Sequence, residues 1–227
     1  MNIVAFTGAG ISRESGLRTF RDSEDGLWEG YDIREVANIQ GWWADPQKVL
    51  DFYNMRRRET LAAQPNPGHL AIAELEKNHQ VTVITQNIDD LHERAGSTNV
   101  IHLHGEVLKV RPFGHEETLT IDWVEDVMLG DVCPDTGAQL RPHVVWFGEG
   151  LPELDRAMRI AMAPDVDVLI VVGTSLNVYP AAFIATETRA WRVFLVDPHP
   201  PALPVANLRV FAESASTGLP KIVQELA

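Results

Sequence analysis

The residues Ile3-Val4-Ala5-Phe6 run almost directly into Gly8-Ala9-Gly10. A short run that is apolar at every position reads as a strand buried on both faces. A strand that ends in Gly-x-Gly opens a dinucleotide-binding unit, because two residues without side chains let backbone N–H groups approach a pyrophosphate at the start of a helix. The usual fingerprint carries a third glycine where this chain has Arg13. Taken alone, the tripeptide is therefore a weak signal, and a tight strand-to-helix turn explains it equally well.

Four further apolar runs, residues 81–84, 100–103, 168–172 and 193–196, have the same buried-strand character. Helix-like stretches separate several of them, among them residues 69–77 with Leu70, Ala73 and Leu75. Alternating strands and helices predict an α/β protein with a mostly parallel, Rossmann-like sheet covered on both faces. Gly8-Ala9-Gly10, Gln86-Asn87-Ile88-Asp89, His104-Gly105, Gly173-Thr174-Ser175 and Asp197 each fall just past the carboxyl end of a predicted strand. In an open α/β sheet that edge binds ligands, so the motifs converge on one site.

Two stretches break this rhythm. Residues 26–68 carry Trp28, Trp42, Trp43, Phe52 and Tyr53 at helix-like spacing and end at Pro65 and Pro67. Residues 106–147 hold glycines, prolines and short β-like runs such as residues 118–121. Together they predict a small second domain inserted into a sheet domain made of residues 1–25, 69–105 and 148–227.

The chain has 227 residues, 45% of them hydrophobic, enough for one sizeable core with a smaller satellite. A formal net charge of -13 argues against a nucleic-acid surface and is compatible with a basic, lysine-rich partner. One cysteine excludes an internal disulfide and fits a reducing compartment. The N-terminus enters a strand with no signal-peptide pattern, and no apolar run approaches the ~18 residues of a membrane span. A soluble, cytoplasmic monomer with no membrane contact is expected.

The longer string Gly-Ala-Gly-Ile-Ser-x-x-Ser-Gly-Leu-x-x-Phe-Arg from Gly8, followed by Thr85-Gln86-Asn87-Ile88-Asp89, His102-Leu103-His104-Gly105, Arg141-Pro-His-Val-Val-Trp-Phe-Gly-Glu149 and Gly173-Thr-Ser175, resembles the sirtuins, the NAD-dependent protein deacylases. The motifs occur in the family's order over nearly the whole chain, and the bacterial deacylase branch is the nearest in type. The resemblance implies that His104 is the general base that activates a ribose hydroxyl of NAD after nicotinamide has left. An imidazole suits that task because its unperturbed pKa is ~6.5. His102, at the wrong offset from Gly105, is read as structural. By the same resemblance Asn87, Ile88 and Asp89 line the nicotinamide pocket and Gln86 faces the ribose. Read by itself, Asn-Ile-Asp-Asp also serves as a cap for the following helix. Phe20, Arg21 and Asp22 match the loop that closes over the cofactor and excludes water.

Gly8, Ala9, Gly10, Gly173, Thr174 and Ser175 match the phosphate and adenosine-ribose positions. Asp197 stands where the family more often has asparagine, and its carboxylate disfavours a 2′-phosphate, so NAD is expected rather than NADP. Ala215 matches the adenine end, whereas Glu213 replaces a usual glycine. Val145, Phe147, Gly148 and Glu149 resemble the segment that pairs with an acyl-lysine peptide as an added strand. Val-Val-Trp-Phe read alone is a core strand, and alternate residues can do both jobs.

Tyr53 and Arg56 are three apart on a predicted helix, in the Tyr-x-x-Arg spacing of deacylases that accept succinyl- or malonyl-lysine. A solvated basic face is the plain alternative for Arg56-Arg57-Arg58. The departure from the family concerns metal. Its zinc is usually held by two cysteine pairs, but this chain reads Cys133-Pro134-Asp135-Thr136-Gly137 and has Pro112 after Arg111. One cysteine cannot build a Cys₄ site, so no metal ligands and no zinc are expected. The alternatives are a protein ADP-ribosyltransferase or NAD hydrolase sharing the first step, and a catalytically silent NAD-responsive binding protein.

Overall fold

The structure is a computed structural model that describes residues 1–18, 27–28, 31–115 and 119–227. The expected closing loop Phe20-Arg21-Asp22 and part of the β-like run at 118–121 lie outside the described residues. At the centre is a six-stranded sheet formed by β1 (Asn2–Thr7), β4 (Gln80–Thr85), β5 (Val100–His102), β9 (Val168–Val172), β10 (Arg192–Val196) and β11 (Leu208–Phe211). Its order is β11-β10-β9-β1-β4-β5, and every neighbouring pair is parallel. The sheet is an α/β, Rossmann-like arrangement, as expected. Strand β11 has no counterpart among the predicted runs. It is an edge strand whose residues are all at least partly exposed, so Arg209 interrupts the apolar pattern and pairs outward with Glu225.

The apolar runs are continuous because both faces of each strand are covered. Val4 and Phe6 of β1, Leu169 and Val171 of β9, and Val193 and Leu195 of β10 pack against α6 (Leu154–Ala161) and α7 (Phe183–Thr186). The alternate residues Ile3, Ala5, Val168, Ile170, Phe194 and Val196 pack against α4 (Pro67–Leu75) and α8 (Ala215–Leu226). The period of two along a strand makes this division. Helix α4 begins two residues before the predicted stretch. Pro67 occupies its first turn, Asn66 Oδ1 accepts from the Gly68 N–H at 2.8 Å, and His69 Nδ1 accepts from the Asn66 N–H at 3.3 Å. A short helix, α5 (Leu91–Ala95), follows β4.

A second core lies between helices and a three-stranded antiparallel sheet. The strands are β6 (Gly105–Pro112), β7 (Ile121–Asp122) and β8 (Leu140–Val144), in the order β7-β6-β8. Helices α1 (Ile33–Val36), α2 (Ile39–Ala44) and α3 (Pro46–Ala62) supply Val36, Trp42, Val49, Leu50, Phe52 and Tyr53. The two-residue strands β2 (Leu27–Trp28) and β3 (Tyr31–Asp32) pair antiparallel before α1. Helix α3 is fastened to the strands through polar atoms. Asn54 Nδ2 donates to the Val127 carbonyl at 2.9 Å, and the Val127 N–H donates back to Asn54 Oδ1 at 2.8 Å. The guanidinium of Arg57, fully buried, donates to Asn54 Oδ1 and to the Val107 carbonyl. A solvated basic face therefore describes only Arg58, which pairs with Asp126 at the surface.

Candidate active site

The strand order reverses between β1 and β9, and a crevice opens at such a point beyond the carboxyl ends. The glycine loops meet there. The Gly8 N–H donates to the Val172 carbonyl at 3.0 Å and the Gly10 N–H to the Gly173 carbonyl at 2.8 Å. A Cβ on Gly10 would come within 2.6 Å of Gly173 Cα, and one on Gly8 within 2.7 Å of the Gly173 oxygen. These glycines are side-chain-free so that the two loops can touch. This is a different use from the expected one, since the Gly8 and Gly10 N–H groups are spent on the neighbouring loop. The helix expected after Gly10 is a 3-10 helix, Ala9–Ser15, closed by Gly16 at φ 89°.

Gln86, Thr174 and His104 are joined next to this crevice. Gln86 Nε2 donates to Thr174 Oγ1 at 2.9 Å, and the Gln86 carbonyl lies 2.8 Å from His104 Nδ1. A carbonyl only accepts, so Nδ1 of His104 carries the proton and Nε2 keeps its lone pair. Burial lowers the pKa of His104, against a smaller opposing effect of the Gln86 carbonyl, so the ring is neutral at physiological pH. Gly105, at φ 77°, is what lets β6 start immediately after this histidine. A Cβ there would stand 2.2 Å from the His143 carbonyl oxygen.

Beneath the edge lies a buried polar network. Ser12 Oγ donates to Asp89 Oδ2 at 3.0 Å and accepts from Asn87 Nδ2 at 3.0 Å. Because His69 Nδ1 accepts from Asn66, its Nε2–H points to Ser12 Oγ, 3.4 Å away. Burial drives the pKa of His69 down to about 4, so it remains neutral. Asp89 is fully desolvated, which raises its pKa, and it also accepts from the Leu91 N–H. The Asn87 N–H donates to Thr85 Oγ1, which in turn accepts from Thr7 Oγ1. Three of Asn87's polar groups are thus held by the protein, counting its carbonyl against His102. Oδ1 has no protein partner among the described residues. Ser12 stands inside the glycine string and His69 inside Asn-Pro-Gly-His, but nothing in either segment alone announces that they meet.

The remaining expected residues are distributed as follows. Ile88 joins the second core, and its carbonyl accepts from the Val107 N–H. Ser175 follows Thr174 on the same edge, half-buried. Asp197 is buried past β10, with Oδ1 accepting from the His199 N–H at 2.8 Å. Ala215 opens α8 and packs on α4, where a Cβ on Gly68 would lie 3.1 Å from its own. Val145 is tied to the candidate base, its N–H donating to the His104 carbonyl at 2.9 Å.

Phe147 bridges to Asn38, donates its N–H to the Ala37 carbonyl at 2.8 Å, and is 57% exposed. Gly148 is exposed. The Glu149 carboxylate faces inward, accepting from Arg141 at 2.5 and 3.1 Å, from Arg111 at 3.3 Å and from the Trp146 N–H at 2.8 Å. The Arg141 guanidinium also stacks 3.3 Å from the centroid of the Trp146 ring. Trp146 Nε1 donates to the Tyr53 hydroxyl at 3.1 Å, which links Tyr53 to this segment. Desolvation raises the pKa of that phenol, so it stays protonated. Arg56 is buried and pairs with Glu59 at 2.6 Å.

In the Cys133-Pro134-Asp135-Thr136-Gly137 segment, where no zinc is expected, Cys133 is fully buried in the second core. Its turn is closed by Cys133 N–H to the Ala138 carbonyl and Gly137 N–H to the Cys133 carbonyl, both 2.8 Å. Among the described residues, no group of three or more His, Cys, Asp and Glu could hold a metal ion. Likewise, among them no helix is long and apolar enough to cross a membrane.

The crevice at β1 and β9 and the neutral histidine at its edge, whose carbonyl is bonded to Val145, make up one candidate site on an α/β, Rossmann-like sheet. Residues 8–180 match the Sir2 family, and the chain belongs to it. It is 53% identical over 198 residues to an NAD-dependent protein deacylase of Helicobacter pylori, covering 87% of this chain and 84% of that protein. It is 45% identical to an NAD-dependent protein deacylase of Bacteroides thetaiotaomicron, over 99% of this chain and 97% of that one. A Sir2 homologue solved as its NAD complex superposes with a TM-score of 0.88 at 42% identity, over 99% of this chain and 89% of that one.

Proposed function

We propose that this protein removes acyl groups from protein lysines with NAD as co-substrate, giving nicotinamide and O-acyl-ADP-ribose. The observation that carries it is the junction at His104: its neutral imidazole has no partner on Nε2 among the described residues, and its backbone carbonyl accepts from the Val145 N–H. One residue thereby sits between the glycine crevice and the edge offered to a peptide. The residues fit NAD: the side-chain-free loops at Gly8, Gly10 and Gly173 meet at the crevice, and Asn87 Oδ1 is an acceptor with no protein partner among the described residues. When bound, NAD supplies a glycosidic carbon that the acyl oxygen can attack as nicotinamide departs. Gln86, Asn87, Asp89, Thr174, Ser175 and Asp197 hold and orient it, with Ala215 at the adenine end; the closing role expected of Phe20, Arg21 and Asp22 falls on residues outside those described. His104 takes a hydroxyl proton on Nε2. Val145, Phe147, Gly148 and Glu149 set the backbone of the acyl-lysine segment. Nicotinamide release should require both NAD and an acyl-lysine peptide. Release from NAD alone, or a peptide that gains ADP-ribose, would favour the hydrolase or transferase instead.

Acidic acyl groups are the proposed preference, through Tyr53 and Arg56. Arg56→Met should lower turnover of a succinyl-lysine peptide by at least ~10-fold while sparing an acetyl-lysine peptide, since a hydrogen bond to a charged group contributes roughly 1.5–3 kcal/mol. Equal losses on the two peptides would assign Arg56, with its Glu59 partner, to the fold.

The small module of residues 26–68 and 106–147 is proposed to work without zinc. Its core contacts support this: Val127 is fully buried, and Ile121 and Trp123 pack on the same cluster. Leu119, by contrast, is exposed. Purified protein should hold well under one equivalent of zinc, and a chelator should change neither melting nor activity. Stoichiometric zinc with melting on chelation would contradict this. A cytoplasmic monomer acting on proteins rather than nucleic acids is consistent with the single cysteine and the net charge of -13.

A further inference from the structure

His102 lies two residues before the candidate base, and the proposed reaction gives it no task. Its ring is held at both ends. Nδ1 is 3.1 Å from the Asn87 carbonyl oxygen and Nε2 is 2.8 Å from Glu93 Oε1. A carbonyl and an ionised carboxylate only accept, and a neutral imidazole has one N–H to give. Only the imidazolium satisfies both, so the geometry selects the cation. Burial opposes that charge, but the Glu93 carboxylate outweighs it and the pKa of His102 is raised. Burial likewise works against the charge on Glu93, yet His102 holds that carboxyl below its usual range.

The other groups around the ring leave His102 as the cation of the cluster. Asp89 and Glu106 interact with it as anions. Lys109 is paired with Glu106, and Arg156 with Glu153 across the adjoining cavity. His92 and His143 are both pushed down by burial and stay neutral. The cavity, of about 410 Å³, is lined by His102 and Glu93 and is open to solvent, so the proton can exchange without unfolding.

The cation holds Asn87, whose N–H and Nδ2 are already fixed by Thr85 and Ser12. We infer that His102 is a positioning residue, an imidazolium that locks the Asn87 peptide unit and so aims Asn87 Oδ1 at the ligand. This rests on the NAD-dependent reaction proposed above. Above its raised pKa, His102 keeps one proton, which the stronger acceptor, the Glu93 carboxylate, holds on Nε2, and the Asn87 carbonyl loses its donor.

Two measurements on the full chain test this. Ring-¹⁵N NMR of the protein without ligand should show His102 doubly protonated at neutral pH, and a neutral ring would overturn the assignment whatever the enzyme does. Nicotinamide exchange, followed from about pH 6 to about pH 9, should fall on the alkaline side. In Glu93→Gln the new amide can donate to Nε2 while Nδ1–H still serves Asn87, so exchange at neutral pH should survive and the alkaline fall should vanish. His102→Phe, which keeps volume but cannot donate, should raise the KM for NAD and cut exchange about 10-fold, the equivalent of about 1.4 kcal/mol. An alkaline fall retained in Glu93→Gln, or wild-type exchange in His102→Phe, would overturn the role. If the wild-type protein released no nicotinamide at all, the NAD reaction would fail, while the NMR result would still decide the charge of His102.

Discussion

His104→Ala should reduce formation of O-acyl-ADP-ribose by roughly 100-fold or more, the usual contribution of a positioned general base. NAD binding should persist, because the loops of Gly8, Gly10 and Gly173 are joined by backbone bonds that do not involve the imidazole. Nicotinamide exchange should also survive, since in the proposed reaction the base acts after nicotinamide has left. The pH dependence has a definite sign. The neutral ring is the active form, and burial lowers its folded pKa below 6.5. At pH 6.5 product formation should therefore stay above half of its plateau, whereas an unperturbed histidine would be half protonated there. A variant that keeps most of its deacylation rate would remove His104 from the mechanism.

Glu149→Ala should cost the fold roughly 3–5 kcal/mol, the range for breaking a buried ion pair by deleting one partner. The side chain of Arg141 is fully buried and that of Arg111 is 4% exposed, so removing Glu149 takes a carboxylate they share out of a buried site. For a chain of this size that corresponds to a melting temperature lower by about 6–20 °C. Glu149→Gln should recover only part of the loss, because an amide keeps an acceptor but not the charge. Peptide affinity should suffer more than NAD affinity, since Glu149 also pins the Trp146 N–H and so the shape of the turn beside Phe147. A melting temperature within about 2 °C of the parent would mean that the cluster is not what holds this turn.

The strands were legible because each is buried on both faces, which leaves an unbroken apolar run. Strand β11 was not, since an edge strand with Arg209 facing outward has no such run. The motifs past the strand ends were legible as a converging edge, and the bonds among Gln86, Thr174 and His104 join three of them. What the glycines do there was not, because their contact is between loops distant in the chain. The network of Ser12, His69, Asn87 and Asp89 was hidden for the same reason, as its members come from three segments that only the fold assembles. Arg57 shows the opposite error. Three consecutive arginines suggest a wet face, yet α3 lies against β6 and buries this one against the Val107 carbonyl and Asn54. Glu149 stood in the peptide-facing motif, and its side chain turned out to face inward.

The sharpest single measurement is the mass balance of one incubation of the protein with NAD and an acyl-lysine peptide. Each peptide that loses its acyl group should be matched by one nicotinamide and one O-acyl-ADP-ribose, with no free carboxylic acid formed directly. Acyl groups recovered only as free acid, a peptide heavier by ADP-ribose, or nicotinamide released equally without peptide would each contradict NAD-dependent deacylation at His104.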